Sequence, residues 1–224
     1  MISIGEHDMS KDYVALERER ERERERERAN KGLWLHLGGG RRVLPGAMHI
    51  DIGDFSHLDY HHDFRNLPMI DSGSCDGVYA SHCFEYVDVP EALTVLREWR
   101  RVLKPGGILR LAVPNFSALC AVYTETGDIS NVLGPIFGRW DPDAGSSAAG
   151  VKKVDRVVFH KTVYDAASLT TALMSAGFHD VRPWDWREVF TGDWQGFDDF
   201  SQAYYPHMDK EHGRLMSLNL EATA

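Results

Sequence analysis

Cysteine is scarce in this 224-residue sequence: Cys75, Cys83 and Cys120 are the only three. Their number is odd and no two are spaced as CxxC, which argues against a disulfide framework and a thiolate-held structural zinc. A reducing, cytoplasmic setting is the matching expectation. Long hydrophobic runs are missing as well. No segment reaches the ~20 apolar residues of a membrane span, and the opening MISIGEHDMSKDY has no apolar signal core. Positive charge is outweighed, with 25 Lys and Arg against 34 Asp and Glu and a net charge of −9. Without a concentrated basic patch such a chain has no broad attraction for a phosphate backbone, so no nucleic-acid partner is expected. What the sequence does have is 43% hydrophobic residues, enough for one substantial core.

The most unusual segment is ERERERERERER, from Glu17 to Arg28. On a helix Glu17 meets Arg20 at i,i+3 but Glu21 at i,i+4, so favourable and unfavourable pairs largely offset. No apolar stripe crosses the repeat, and only Val14, Ala15 and Leu16 can pack. A solvated helix is expected over 10–30, capped by Ser10 and stopped near Gly32. Its glutamates neutralise its arginines, which disfavours an RNA-binding arm. The organisation expected is a charged N-terminal helix at 1–32, then one domain at 33–224.

Beyond Gly32 short apolar runs alternate with polar turns. Seven of them read as strands: 33–37, 48–52, 60–64, 77–81, 107–113, 181–190 and 215–222. Between the fourth and fifth, VPEALTVLREWRRVLKPGG predicts a helix with Leu93, Leu96, Val102 and Leu103 inward, closed by Pro105 and two glycines. DAASLTTALMSAGF predicts another, with Leu169, Leu173 and Ala176 inward and Gly177 as its stop. Strands interleaved with helices indicate an α/β sheet. Residues 115–160 break the rhythm, with a helix over FSALCAVY and then a glycine-rich stretch that suits a substrate wall. A second irregular region, 192–213, carries Trp194, Phe197, Phe200, Tyr204 and Tyr205, which suit core closure.

The stretch LWLHLGGGRRVLPGAMHIDIG carries the chemistry. A dinucleotide fingerprint starting at Gly38 requires a small third residue, and Val43 stands there; no Gly-Lys-hydroxyl triplet follows for a phosphate loop. What remains is a glycine turn after strand one, Asp51 ending strand two and Asp63 ending strand three. Open α/β sheets grip nucleosides at the carboxyl ends of their strands. Glycines let a backbone approach a ligand, and carboxylates accept hydrogen bonds from a ribose diol or an adenine amine. An adenosine without phosphates is the ligand that this pattern suits.

LHLGGGRRVLPGAMHIDI, HDFRNLPMIDSGSCDGVYASHCFEYV, LREWRRVLKPGGILRLAVPNF and HKTVYDAASLTTALMSAGFHDV resemble the class I S-adenosylmethionine-dependent methyltransferases, in particular the small predicted enzymes of the methyltransferase type 11 group. The resemblance spans 33–181, and RVLKPGGILRLAVP is its most recognisable run. It implies a Rossmann-like, seven-stranded, mostly parallel sheet with helices on both faces, and S-adenosylmethionine as cofactor. It places Gly38, Gly39 and Gly40 at the cofactor's methionine end, Asp51 and Ile52 at the ribose, Asp63 and Phe64 at the adenine, and Ser81 and His82 beside the methionine portion. Two departures stand out. His36 occupies the position where many relatives carry an acid for the cofactor's amino group. Only residues 41–47 lie between the glycine loop and strand two, too few for the usual crossover helix, so cover from the N-terminal helix is expected.

The reaction implied is methyl transfer to a small-molecule or glycan-type acceptor, with a hydroxyl as the expected acceptor group. His82 and His160 are the candidate general bases, with Tyr164 and His207 behind them. The run Asp59-Tyr60-His61-His62-Asp63 alternates faces on a strand, so no metal site is expected. A noncatalytic S-adenosylmethionine binder and a nicotinamide oxidoreductase are the rival readings, and a homodimer is left open.

Overall fold

The computed structural model describes residues 32–140 and 157–224. The charged helix expected at 10–30 lies outside them. Seven strands form one sheet: β1 (Trp34–Leu37), β2 (Met48–Asp51), β3 (Tyr60–His61), β4 (Cys75–Ser81), β5 (Leu103–Pro114), β6 (His179–Pro183) and β9 (Ser217–Thr223). Their order is β3-β2-β1-β4-β5-β9-β6. Neighbours from β3 to β5 pair in parallel, while β9 runs antiparallel to both β5 and β6. This is the mostly parallel α/β sheet that the sequence pattern implies.

Alternation along the strands divides the core between the two faces. Leu35, Leu37, Val78, Ala80, Leu109, Leu111 and Val113 point to one face, where α1 (Val89–Val102) and α4 (Ala166–Ser175) cover them. Helix α1 is capped by Asp88, whose side chain accepts from Glu91 N, and it buries Ala92, Val95, Leu96, Trp99 and Val102. Helix α4 opens with a capping box between Asp165 and Ser168, and Leu169 and Leu173 are buried as expected.

The opposite face carries Tyr79 and Ala112 beneath Trp184, Phe190 and Trp194. Here the short crossover matters. Strands β1 and β2 pair in parallel although only residues 38–47 join them. The space that a crossover helix would fill is taken by Leu44 and Ala47 together with the aromatic C-terminal segment. The Trp34 and Trp194 rings meet edge to face at 5.0 Å, and Trp194 Nε1 donates to the Pro45 carbonyl at 2.9 Å. Cover on this side therefore comes from 184–200 among the described residues.

Several boundaries differ from the sequence reading. The strand expected at 181–190 ends at Pro183, and the next apolar residues form the one-turn helix α5 (Trp186–Val189), capped by Asp185. KPGG does not end α1 as a loop but belongs to β5, which is bulged opposite Cys75 and Gly77. The run 215–222 is divided at Met216 between β8 (Arg214–Leu215) and β9. Strand β8 pairs with β7 (Tyr204–Tyr205) in a separate two-stranded sheet. Within the insert, α2 (Phe116–Thr126) is followed by α3 (Ser130–Phe137), a helix that no periodic signal announced.

Candidate active site

Three strand ends converge on one cavity of about 480 Å³. The loop after β1 enters it through Gly38, Gly39 and Gly40. Positive φ at Gly38 (63°) and Gly40 (59°) lets the chain turn there without the steric cost that a side chain would bring. Gly38 N donates to Ile50 O at 2.9 Å, tying the loop to β2. Asp51, at the end of β2, fixes it further: one carboxylate oxygen accepts from Gly40 N at 2.9 Å and the other from Gly53 N at 2.7 Å. A carboxylate has about four lone-pair positions, so two remain for a ligand.

All ten residues that the resemblance assigns to the cofactor lie in the wall of this cavity: His36, Gly38, Gly39, Gly40, Asp51, Ile52, Asp63, Phe64, Ser81 and His82. Both histidines singled out for catalysis, His82 and His160, line it too. Tyr164 and His207 do not; Tyr164 is buried against Phe84 and His207 is exposed elsewhere. Asp63 is clamped by Arg65, whose Nε donates to both of its oxygens at 3.0 and 2.9 Å. Burial works to raise the Asp63 carboxyl, but those bonds and the guanidinium charge outweigh it and hold Asp63 ionised below its usual range. The rest of the acidic-histidine run disperses: His61 Nε2 donates to Ile52 O at 2.6 Å, His62 Nδ1 to Asp63 O at 3.0 Å, and Asp59 Oδ2 accepts from His49 N at 2.8 Å.

His36 is buried between His49, Tyr79 and Phe197. Burial, then the neighbouring His49 and His57 and the charge of Arg42, push its pKa well below the ordinary value, so its ring is neutral. It cannot replace a carboxylate opposite a cation. The acid in the wall nearest in role is Asp199, which the sequence reading missed. It comes from the aromatic segment, accepts from Tyr79 OH at 2.6 Å and Ser201 N at 2.8 Å, and lines the same cavity. Phe200 follows it, with the Arg42 guanidinium 4.5 Å from its ring centroid. The other wall is apolar: Tyr86, Trp140 and residues 157–159 of the returning insert. Trp140 and Val158 hydrogen-bond to each other at 2.9 Å in both directions, closing the described ends of the insert over the site.

His82 stands directly after β4 with a φ of 51°, unusual for a residue with a side chain. Its N–H donates to Ala112 O on β5 at 2.8 Å, which holds the bend. Burial foremost, then His160 and Arg42, lower the His82 pKa to about 3, against a small upward contribution from the Phe200 backbone. Burial also lowers His160. Both rings are neutral and hence able to accept a proton.

Several features of the cavity suit the implied cofactor. Ser81 Oγ and His36 Nδ1 are buried in its wall with no hydrogen-bond partner among the described residues, and a Cβ placed on Gly40 would meet nothing within 4 Å. Unsatisfied polar atoms and an open glycine face, beside a strand-end carboxylate, suit a nucleoside bearing an amino-acid tail.

Residues 49–111 match the family model described as a methyltransferase domain. A demethylmenaquinone methyltransferase of Lysinibacillus sphaericus is 25% identical in a 142-residue alignment that covers 53% of this chain and 60% of that protein. The chain thus aligns with less than two thirds of that relative's length. The crystal structure of a SAM-dependent methyltransferase from Archaeoglobus fulgidus shares the fold, with a TM-score of 0.50 at 16% identity over 95% of this chain and 99% of the other. Residues 49–111 thus carry the sequence signature of a methyltransferase domain, and the chain as a whole has the fold of an S-adenosylmethionine-dependent methyltransferase structure.

Proposed function

We propose that the protein binds S-adenosylmethionine and transfers its methyl group to the hydroxyl of a small-molecule or glycan-type acceptor. The observation that carries this reading is the shared cavity, in which the strand-end residues and two neutral histidines face one space. When bound, S-adenosylmethionine supplies a methyl carbon on a sulfonium, open to in-line displacement. The glycine loop leaves room for its methionine end, Asp51 accepts from the ribose, Asp63 and Phe64 border the adenine, and Asp199 provides the carboxylate that His36 does not. Aligning an acceptor with that methyl and keeping water out is the protein's main contribution. The apolar side of the cavity, with Tyr86, Trp140 and Phe159, suits an acceptor with a hydrophobic or aromatic body. A hydroxyl must lose its proton as the oxygen–carbon bond forms, and His82 or His160 is placed to take it.

Calorimetry tests the reading. S-adenosylmethionine and its demethylated product should bind, whereas NAD should not. Asp51→Ala should weaken binding ten- to hundredfold or more, at ~1.5–3 kcal/mol for each lost charged hydrogen bond. Binding of NAD, or unchanged affinity in a folded Asp51→Ala protein, would overturn it.

A further inference from the structure

Behind the cavity wall lies a residue that the sequence did not single out. Glu85 sits in the 3₁₀ turn Phe84–Tyr86 after β4, and its side chain is 0% exposed. Neither of its carboxyl oxygens has a hydrogen-bond partner among the described residues. Two imidazole nitrogens approach one of them: His82 Nδ1 at 3.6 Å and His160 Nε2 at 3.5 Å from the same Oε1. These separations are just beyond a hydrogen bond, so a small turn of either ring would close one.

The surrounding bonds decide which ring nitrogens carry hydrogen. Asn219 Nδ2 donates to Ser201 O at 2.9 Å, so Asn219 Oδ1 accepts from Ser217 Oγ at 2.7 Å. The Ser217 hydroxyl proton is thereby committed, and at 2.9 Å its oxygen accepts from His82 Nε2–H. That leaves His82 Nδ1 bare. On the other side His160 Nδ1 lies 2.9 Å from the Pro135 carbonyl, which can only accept, so Nδ1 carries the proton and Nε2 is bare. Two lone pairs thus converge on a carboxyl oxygen, an arrangement that is repulsive unless a proton lies among them.

We propose that Glu85 is a positioning residue that holds one proton in common with His82 and His160, coupling the two imidazoles of the cavity wall into a single proton-accepting unit. The carboxyl O–H can bond to either bare nitrogen, so a proton taken from an acceptor enters at the bare nitrogen of one ring while the carboxyl O–H turns to the other. The balance is one proton gained by the trio for each acceptor hydroxyl deprotonated. Burial supports it, pushing the Glu85 carboxyl up to about 8, which keeps the proton in place near neutrality. The other ionisable groups around Glu85 are Cys83 and Tyr86 on its own turn and Tyr164 and Lys161 after the insert, while Arg42 from the loop after β1 acts on His82. Burial raises Cys83, Tyr86 and Tyr164, so none of those three competes in the neutral range. The role of the unit in methyl transfer rests on the proposed function; the shared proton does not.

The test is ¹⁵N-histidine NMR on the full chain, which reads ring protonation without any substrate. His82 is expected as the Nε2–H tautomer and His160 as the Nδ1–H tautomer, with both bare nitrogens shifting together in one step near pH 8. In Glu85→Gln that common step should vanish while S-adenosylmethionine affinity stays within about twofold. Independent histidine titrations near pH 8 in the unsubstituted protein, or a common step there that survives Glu85→Gln, would overturn the proposal. The unsubstituted titration decides by itself if the variant does not fold. A common step in a protein that binds no S-adenosylmethionine would leave the shared proton standing and remove the proposed function instead.

Discussion

At Gly38 and Gly40 one residue type meets two different surroundings. A Cβ on Gly38 would come within 2.5 Å of the Cys83 Cβ, whereas one on Gly40 would face open space. Both have positive φ, so any side chain carries a backbone cost, but only at Gly38 is there also a clash with the core. Gly38→Val should therefore lower the melting temperature sharply. Gly40→Ala should fold, lose roughly 1 kcal/mol or a little more, and bind S-adenosylmethionine at least tenfold more weakly, because its methyl group occupies ligand space. A melting curve beside a calorimetric titration separates the two, and equal loss of stability in both variants would contradict the assignment of Gly40 to the site. That these glycines and Asp51 line the cavity was legible because strand ends and spacing mark them; Asp63 lines it too, but two residues past β3, which ends at His61 rather than at 64. Glu85 and Asp199 were not legible. A lone acid in FEYV or GFDDFSQ reads as solvent-facing, and only packing of segments distant in sequence takes each out of water.

The strands were the easiest elements to read, since burial on both faces leaves short apolar runs between turn residues. Where the reading failed, a different partner had claimed the apolar residues. Trp184, Trp186, Val189 and Phe190 look like a continuing strand but close over the sheet instead, because the short β1–β2 connection leaves that face bare. The aromatic segment is then a structural part of the site rather than a surface loop. Trp194 is 8% exposed and anchors it to Trp34 and Pro45. Trp194→Ala should cost about 3–5 kcal/mol in urea unfolding, the usual range for emptying such a site. It should also weaken S-adenosylmethionine binding, since Asp199 and Phe200 are held by the same segment. A loss of stability with cofactor affinity unchanged would show that the segment covers the sheet without shaping the cavity.

For the molecule as a whole, two buried groups set opposite limits on pH stability. Glu85 holds its proton up to about pH 8, while a free glutamate releases it near 4.5. The stability linked to Glu85 is therefore complete below about 4.5 and drains away as pH rises toward 8, by up to about 1.4 kcal/mol per pH unit. His82, lowered from 6.5 to about 3, acts in reverse: its contribution is complete above 6.5 and is lost as pH falls toward 3. Thermal melts across pH 4–9 should show Glu85→Gln losing less stability than the unsubstituted protein between pH 5 and 8, and parallel curves would contradict that. Topology sets a further limit, this one in time. Strand β9 lies inside the sheet, and among the described strands β6 is joined to the rest only through it. During synthesis β1 to β5 emerge with the glycine loop and Asp51 before residues 217–223, which supply the strand paired with β5 among the described residues. Asp51 and Asp63 can be made early, but the sheet that holds them steady is closed by a strand synthesised long after them.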